Sequence, residues 1–313
     1  MALRRGDQVL KRLSPRISLL CSRLLAPEQS LLDRESSHGF ATTSGNWQGA
    51  SGRDDAADFG YKKVSREEKT TLVGEVFKNV APSYDLMNDL MSGGMHRLWK
   101  DRFVKKLHPF VGMQHLDVAG GTGDIAFRVL DAIREQEPKQ EQAAWGPRSS
   151  VVVCDINPAM LEVGKKRAQE RGLGEASGLQ WVEGNAEKLP FEDASFDTYS
   201  IVFGIRNVTD IEAALREAHR VLKPGGRFLC MEFSQVRSPT LRALYDAYSF
   251  SVIPVLGDVV ARDRASYQYL VESIRKFPSQ KKFASMIAAA GFQEVTYENL
   301  VAGAVAIHSG FKL

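Results

Sequence analysis

From about Val64 onward the chain alternates between two hydrophobic periods. The stretches TLVGEVFKNVAPSYDLMNDLMS and MHRLWKDRFVKKL space apolar residues three and four apart, which predicts helices. Gln114–Val118 is a short apolar run and predicts a strand, and 124–133 return to helical spacing. Further strands are predicted at 151–155, 179–183, 196–203 and 227–233, with helices at 159–171 and 211–221 between them. Near-continuous apolar strands alternating with helices predict a mostly parallel sheet covered on both faces. A helical stretch rich in Tyr and Phe follows Phe233, then two strands at 294–299 and 304–308. The link between those two is too short for a crossover helix, so they are expected to pair antiparallel.

Two regions break the pattern. Residues 135–150 (EQEPKQEQAAWGPRSS) are polar and repetitive and read as an insertion. In the first 25 residues Arg4, Arg5, Lys11, Arg12, Arg16 and Arg23 stand against a single acid, Asp7, with Leu and Ile between them. Arg-rich, acid-poor and amphipathic is the composition of a mitochondrial transit peptide. Pro15 and the recurrent arginines deny it the continuous apolar centre of a secretory signal. Cleavage is placed near Phe40 and Ala41, and the Gly- and Asp-rich 44–60 reads as a linker. The expected organisation is therefore a leader and linker over 1–48 and a single domain over 49–313. That domain carries an N-terminal helical extension and a helical insertion near 235–280.

Composition changes this picture little. With 43% hydrophobic and 25% charged residues in 313, the chain can bury a sizeable core. Lys plus Arg outnumber Asp plus Glu by 41 to 38, which does not make the concentrated basic patch expected of a nucleic-acid binder. No stretch approaches the ~20 apolar residues of a membrane span. Cys154 and Cys230 fall inside apolar strand-like runs, Cys21 lies in the leader, and no Cys/His ligand spacing points to a metal.

The candidate chemistry begins at Leu116–Asp124, LDVAGGTGD. A Gly-rich turn between a first strand and a first helix brings backbone N–H groups and a helix N-terminus to a ligand, and Gly120, Gly121 and Gly123 allow close approach. By itself this turn fits a dinucleotide as well as a methyl donor, because Gly121-x-Gly123-x-x-Ala126 also meets the dinucleotide fingerprint. Asp155, closing the second strand, can accept both hydroxyls of a ribose in either case. Asn185 in GNAEKLPF can accept from an adenine amino group. RVLKPGGRFLCMEFS and the closing antiparallel pair then depart from the dinucleotide pattern. Together these features resemble the class I S-adenosylmethionine-dependent methyltransferase fold, an α/β seven-stranded sheet with its last strand reversed and helices on both faces.

Two longer runs narrow the resemblance. Tyr84-Asp85-Leu86-Met87-Asn88, continuing through Met91, Ser92, His96 and Trp99, resembles the first hallmark of the quinol C-methyltransferase family of ubiquinone and menaquinone biosynthesis. Arg220-Val221-Leu222-Lys223-Pro224-Gly225-Gly226, running on to Glu232 and Ser234, is similar to its second. FGIRNVTD and AIHSGFK match as well, so the resemblance spans about 64–313. It implies S-adenosylmethionine as cofactor, with Gly121, Thr122, Gly123, Asp155, Asn185 and Ala186 around it. Many members carry Asp at the position of Asn185. A Gly-Asp pair is the family pattern near Arg262 and Asp263, where this chain departs from it.

With the leader, the resemblance implies methylation of a ring carbon of a polyprenylated methoxy-benzoquinol, in ubiquinone biosynthesis. It also implies a place in the mitochondrial matrix, peripheral on the inner membrane, among other subunits of a multi-protein coenzyme Q synthesis complex. The same hallmarks permit a naphthoquinol acceptor, and a non-catalytic scaffold subunit is a rival of another class. Holding a phenol of pKa ~10 ionised near neutral pH costs about 3 kcal/mol, at ~1.36 per unit. A fixed charge ~4 Å away offsets ~4 kcal/mol at an effective dielectric of ~20. Arg206, after the fourth strand, is expected to supply that charge, with Tyr84 and Asn207 as hydrogen-bonding partners at the ring. His96, Trp99 and His308 are expected to be structural. The apolar, aromatic segment 241–277 either lines a site for the polyprenyl tail or forms a homodimer surface.

Overall fold

The computed structural model describes residues 56–80, 88–89, 91–136, 149–174, 177–251, 253–256, 258 and 263–313. The leader with Cys21, the insertion at 137–148, Tyr84 and Arg262 lie outside the described residues. The unit Ala56–Leu313 opens with strands β1 (Ala56–Phe59) and β2 (Lys62–Ser65), which pair antiparallel. Residues 56–60 belong to the stretch read as linker, and the structure corrects that reading. The hairpin is held from outside: Phe59 stacks on Tyr269 and the Tyr61 N–H donates to Glu272. Its own sequence carries no long apolar run.

Helices α1 (Arg66–Val80) and α2 (Met95–Leu107) lead into the main sheet. Its strands are β3 (Gln114–Val118), β4 (Ser150–Asp155), β5 (Leu179–Glu183), β6 (Phe196–Val202), β7 (Leu222–Phe233), β8 (Gln293–Leu300) and β9 (Val305–Phe311). They lie in the order β5-β4-β3-β6-β7-β9-β8. Pairs from β5 to β7 are parallel, while β9 runs antiparallel to both β7 and β8. Only β9 is reversed, as expected. β7 begins five residues earlier than the sequence pattern placed it. The Gly225 N–H and Gly226 carbonyl bond Lys312, so the Pro-Gly-Gly segment is drawn into the ladder behind an irregularity opposite β6.

The connecting helices are α3 (Asp124–Arg134), α4 (Pro158–Glu170) and α5 (Ile211–Val221). α4 starts at Pro158 because the Asn157 side chain accepts from the Ala159 and Met160 N–H groups and proline suits the first turn. Asp210 caps α5 in the same way, accepting from the Ala213 N–H. Between β7 and β8 come α6 (Pro239–Ser251), α7 (Ile253–Leu256), α8 (Arg264–Lys276) and α9 (Gln280–Ala289). One apolar core lies under α2, α3 and α4, including Phe103, Phe127 and Val153. A second lies under α5 and α9, including Leu215, Phe228 and Phe283. Cys154 and Cys230 are buried free thiols within the second. The sheet is thus covered on both faces, and function is left to the strand ends.

Candidate active site

The strand order reverses between β3 and β6. In an open α/β sheet the loops at such a point diverge and leave a crevice at the carboxyl edge. A cavity opens there, walled by the residues following β3, β4, β5 and β6. Thr70, Val73, Gly74 and Phe77 of α1 form another wall. α1 is tied down by Asn157 Nδ2 donating to the Gly74 carbonyl, by Lys69 Nζ donating to the Val208 carbonyl, and by the Arg66–Asp210 ion pair. Ala119 and Phe203, at the ends of β3 and β6, both take the left-handed conformation, at φ 51° and 56°.

The glycine turn is shaped by what lies beneath it. A Cβ on Gly120 would sit 2.8 Å from both Asp117 Oδ2 and Val153, so only glycine fits. The Gly121 N–H donates to Asp155 Oδ2 at 2.9 Å, and Asn157 N–H donates to Oδ1 at 2.9 Å. Burial raises the Asp155 pKa, and these N–H donors oppose the rise. Thr122, Asn185 and Ala186 line the cavity together with Gly121 and Asp155. Thr122 Oγ1 accepts from Arg167, and Asn185 Oδ1 accepts from the Glu187 N–H, so each holds its own loop as well. Gly123 does not line the cavity: at φ 79° it ends the turn and packs against Trp181.

Sequence reasoning passed over Asp117, which the structure places in the cavity wall. His115 and Asp117 of β3 stand opposite Thr198 and Ser200 of β6. Ser200 donates to Asp117 Oδ1 at 2.6 Å, and His115 bridges Ser200 and Thr198 at 3.1 and 2.7 Å. Burial pushes the His115 pKa down to about 3 and that of Asp117 up to about 7. Asp117 Oδ2 is buried without a partner among the described residues. Lys100 was missed too. It is 5% exposed, lines the cavity and donates to Asp124 at 2.7 Å. Burial alone would raise the Asp124 pKa, but Lys100 holds it below the usual range. The readable signal for Asp117 was a charged residue on the inward side of an apolar strand.

Of the residues expected at the acceptor ring, Asn207 lines the cavity. Arg206 does not line it; its guanidinium pairs with the buried Glu232 carboxylate at 2.8 Å and donates to the Phe203 carbonyl at 2.7 Å. The fixed positive charge expected of Arg206 is thus present but paired with a carboxylate. His96 is buried against Asp89, Trp99 is in the core, and His308 bonds the Gln280 carbonyl, so all three are structural. Asp263 caps α8, accepting from the Ser266 N–H. The segment 241–277 divides. Tyr267, Tyr269 and Val271 are buried, whereas Leu241, Tyr248, Phe250 and Val255 are exposed.

Residues 62–312 match the model of the ubiE/COQ5 methyltransferase family. A relative from Oryza sativa subsp. japonica, "2-methoxy-6-polyprenyl-1,4-benzoquinol methylase, mitochondrial", is 62% identical over 82% of this chain and 89% of its own. A Rattus norvegicus protein of the same name is 51% identical over 93% of this chain and 100% of its own. Among solved structures, an S-adenosylmethionine-dependent methyltransferase of Thermotoga maritima superposes with a TM-score of 0.52 at 21% identity. That match covers 77% of this chain and 100% of the other, and it shows the shared fold.

Proposed function

The chain belongs to the ubiE/COQ5 methyltransferase family, and on that premise we propose that it methylates a ring carbon of a polyprenylated methoxy-benzoquinol in ubiquinone biosynthesis. It is an S-adenosylmethionine-dependent methyltransferase, and its cavity fits that cofactor. Asp117 Oδ2 has no described partner and can accept from an ammonium group. Asp155, already held by two backbone donors, keeps a lone pair on each oxygen for ribose hydroxyls. Asn185 and Ala186 flank the place of the adenine, and Lys100 brings a positive charge for a carboxylate. When bound, S-adenosylmethionine supplies an electrophilic methyl group.

The chain's own task is to present an electron-rich ring carbon to that methyl and to favour loss of the quinol hydroxyl proton. Arg206 assists less than a bare charge would. From behind the cavity wall its guanidinium contributes at most the ~4 kcal/mol of a charge ~4 Å from the phenolate at a dielectric of ~20, and a carboxylate ~3 Å behind it opposes by ~2.4, leaving about 2 at best. The remainder of the ~3 kcal/mol of ionisation falls to hydrogen-bond donors, and Asn207 is placed for that. Holding the ring in line with the methyl group provides much of the rest of the acceleration. The observation that carries this reading is that the orphaned Asp117 oxygen and Asn207 share one cavity.

The exposed apolar residues of α6 and α7, Leu241, Tyr248, Phe250 and Val255, suit a polyprenyl tail, each buried CH₂ contributing ~0.8 kcal/mol. They also suit peripheral contact with the matrix face of the inner membrane, where such a substrate resides and where other quinone-synthesis subunits would gather. Among the described residues no helix is long and apolar enough to cross a membrane. The test is incubation of the reduced and the oxidised quinone with labelled methyl donor. Labelling of the quinol alone is expected; equal labelling of both, or of neither, contradicts an ionised quinol nucleophile.

A further inference from the structure

Asn207 carries an acceptor and a donor on one rotatable carboxamide, so its usefulness at the ring depends on which end faces the cavity. That choice is made from outside the cavity, by α8. Tyr269 is 6% exposed, and its hydroxyl donates to Asn207 Oδ1 at 3.0 Å. Its ring is held in turn by Phe59 of the β1–β2 hairpin, stacked at 4.2 Å and 14°. Burial pushes the Tyr269 pKa up to about 12, so the hydroxyl keeps its proton across the physiological range. With Oδ1 taken, the NH₂ has no hydrogen-bond partner among the described residues, and since Asn207 lines the cavity it is the end left free for an occupant.

We propose that Tyr269 is a positioning residue, which fixes Asn207 as a hydrogen-bond donor to the ionising oxygen of a hydroxylated aromatic acceptor. The inference rests on the quinol reading above and adds how the acceptor's hydroxyl is recognised. A donor on that oxygen stabilises the phenolate more than the phenol, so it acts on the pH at which the acceptor becomes reactive. Without the Tyr269 hydroxyl the donating orientation leaves Oδ1 unpaired, so the carboxamide turns its oxygen towards the cavity, which repels the anion. The structure also gives the N-terminal hairpin a purpose: it clamps the ring that sets the amide.

The test is the pH profile of kcat for quinol methylation by the full chain, beside its dissociation constant for S-adenosylmethionine. For Tyr269→Phe, which keeps the ring stack, the acidic limb is expected to move up by about one pH unit. The tenfold loss at neutral pH should then be recovered at high pH, with cofactor affinity unchanged. Asn207→Asp, which can still accept from Tyr269 but cannot donate, should lose at least as much. In an Asn207→Ala background, Tyr269→Phe should cost less than twofold further. An unmoved limb, or losses that multiply in the double variant, overturns the proposal. A wild-type chain that transfers no methyl to the quinol removes the reading on which it stands. An active wild type with an unmoved Tyr269→Phe profile removes only the positioning role.

Discussion

Ser200 donates a 2.6 Å hydrogen bond to one oxygen of Asp117 and leaves the other buried in the wall of the cofactor cavity without a described partner. The two stand opposite each other on β6 and β3, so sheet register itself aims the carboxylate. A half-satisfied buried acid is unfavourable for folding and useful for binding a cation.

Stability should carry the mark of that arrangement. Burial raises the folded pKa of Asp117 from 3.8 to about 7. The folded state then holds the proton more tightly, so this group's contribution is full below pH ~4 and is lost as pH rises through about 7. The window of roughly three units corresponds to ~4 kcal/mol. Asp117→Asn is expected to flatten this decline and to melt higher than wild type at pH 8, as denaturant unfolding at pH 5 and pH 8 will show.

Cofactor affinity should run the opposite way. An ammonium is held by the ionised carboxylate, so with Asp117 titrating at about 7 S-adenosylmethionine binding by the free chain should tighten about fivefold from pH 6 to pH 7, about twofold more by pH 8, and level off above. Calorimetric titration across that range checks it. Asp117→Asn should bind at least tenfold more weakly at pH 8 and lose the slope.

The Arg206–Glu232 pair is buried, and breaking one side leaves a charge uncompensated. Arg206→Ala should destabilise the fold by about 3–5 kcal/mol and slow methyl transfer by up to ~30-fold, the equivalent of ~2 kcal/mol. Adding Glu232→Gln should restore most of the thermal stability and none of the activity. Recovery of activity in the double variant would show that Arg206 serves only to neutralise Glu232.

Gly164 lies in α4, where alanine ordinarily favours a helix by ~1 kcal/mol. Here a Cβ would stand 2.3 Å from the Trp181 ring and 3.2 Å from the Thr122 carbonyl carbon. Gly164→Ala should therefore destabilise by about 1–3 kcal/mol and weaken cofactor binding, since relief comes by pushing the glycine turn. Melting curves and titration together check both effects.

Much of this was legible in the chain. β3 and β5 have their expected bounds, because apolar runs between polar turns leave few alternatives. The β1–β2 hairpin was not, since its eight strand residues include no apolar run and it is secured by Tyr269 and Glu272, far along the sequence. Gly121, Asp155, Asn185 and Asn207 could be picked out by motif. Asp117 was readable as a charge on an apolar strand, but its role was not, because it depends on what faces it across the sheet. Arg206 could be named but not its ion pair, since Glu232 comes from the neighbouring strand 26 residues on. The walls from α1 and Lys100 exist only once the N-terminal helices fold over the strand ends.

The central claim is carbon methylation of a benzoquinol ring, and the most direct measurement is the structure of the product formed from a methyl-labelled donor. The reduced polyprenylated methoxy-benzoquinol, incubated with the full chain and the labelled donor, should yield a quinone carrying one labelled methyl on a ring carbon. A label found on oxygen, or transferred in preference to a naphthoquinol, would contradict the account.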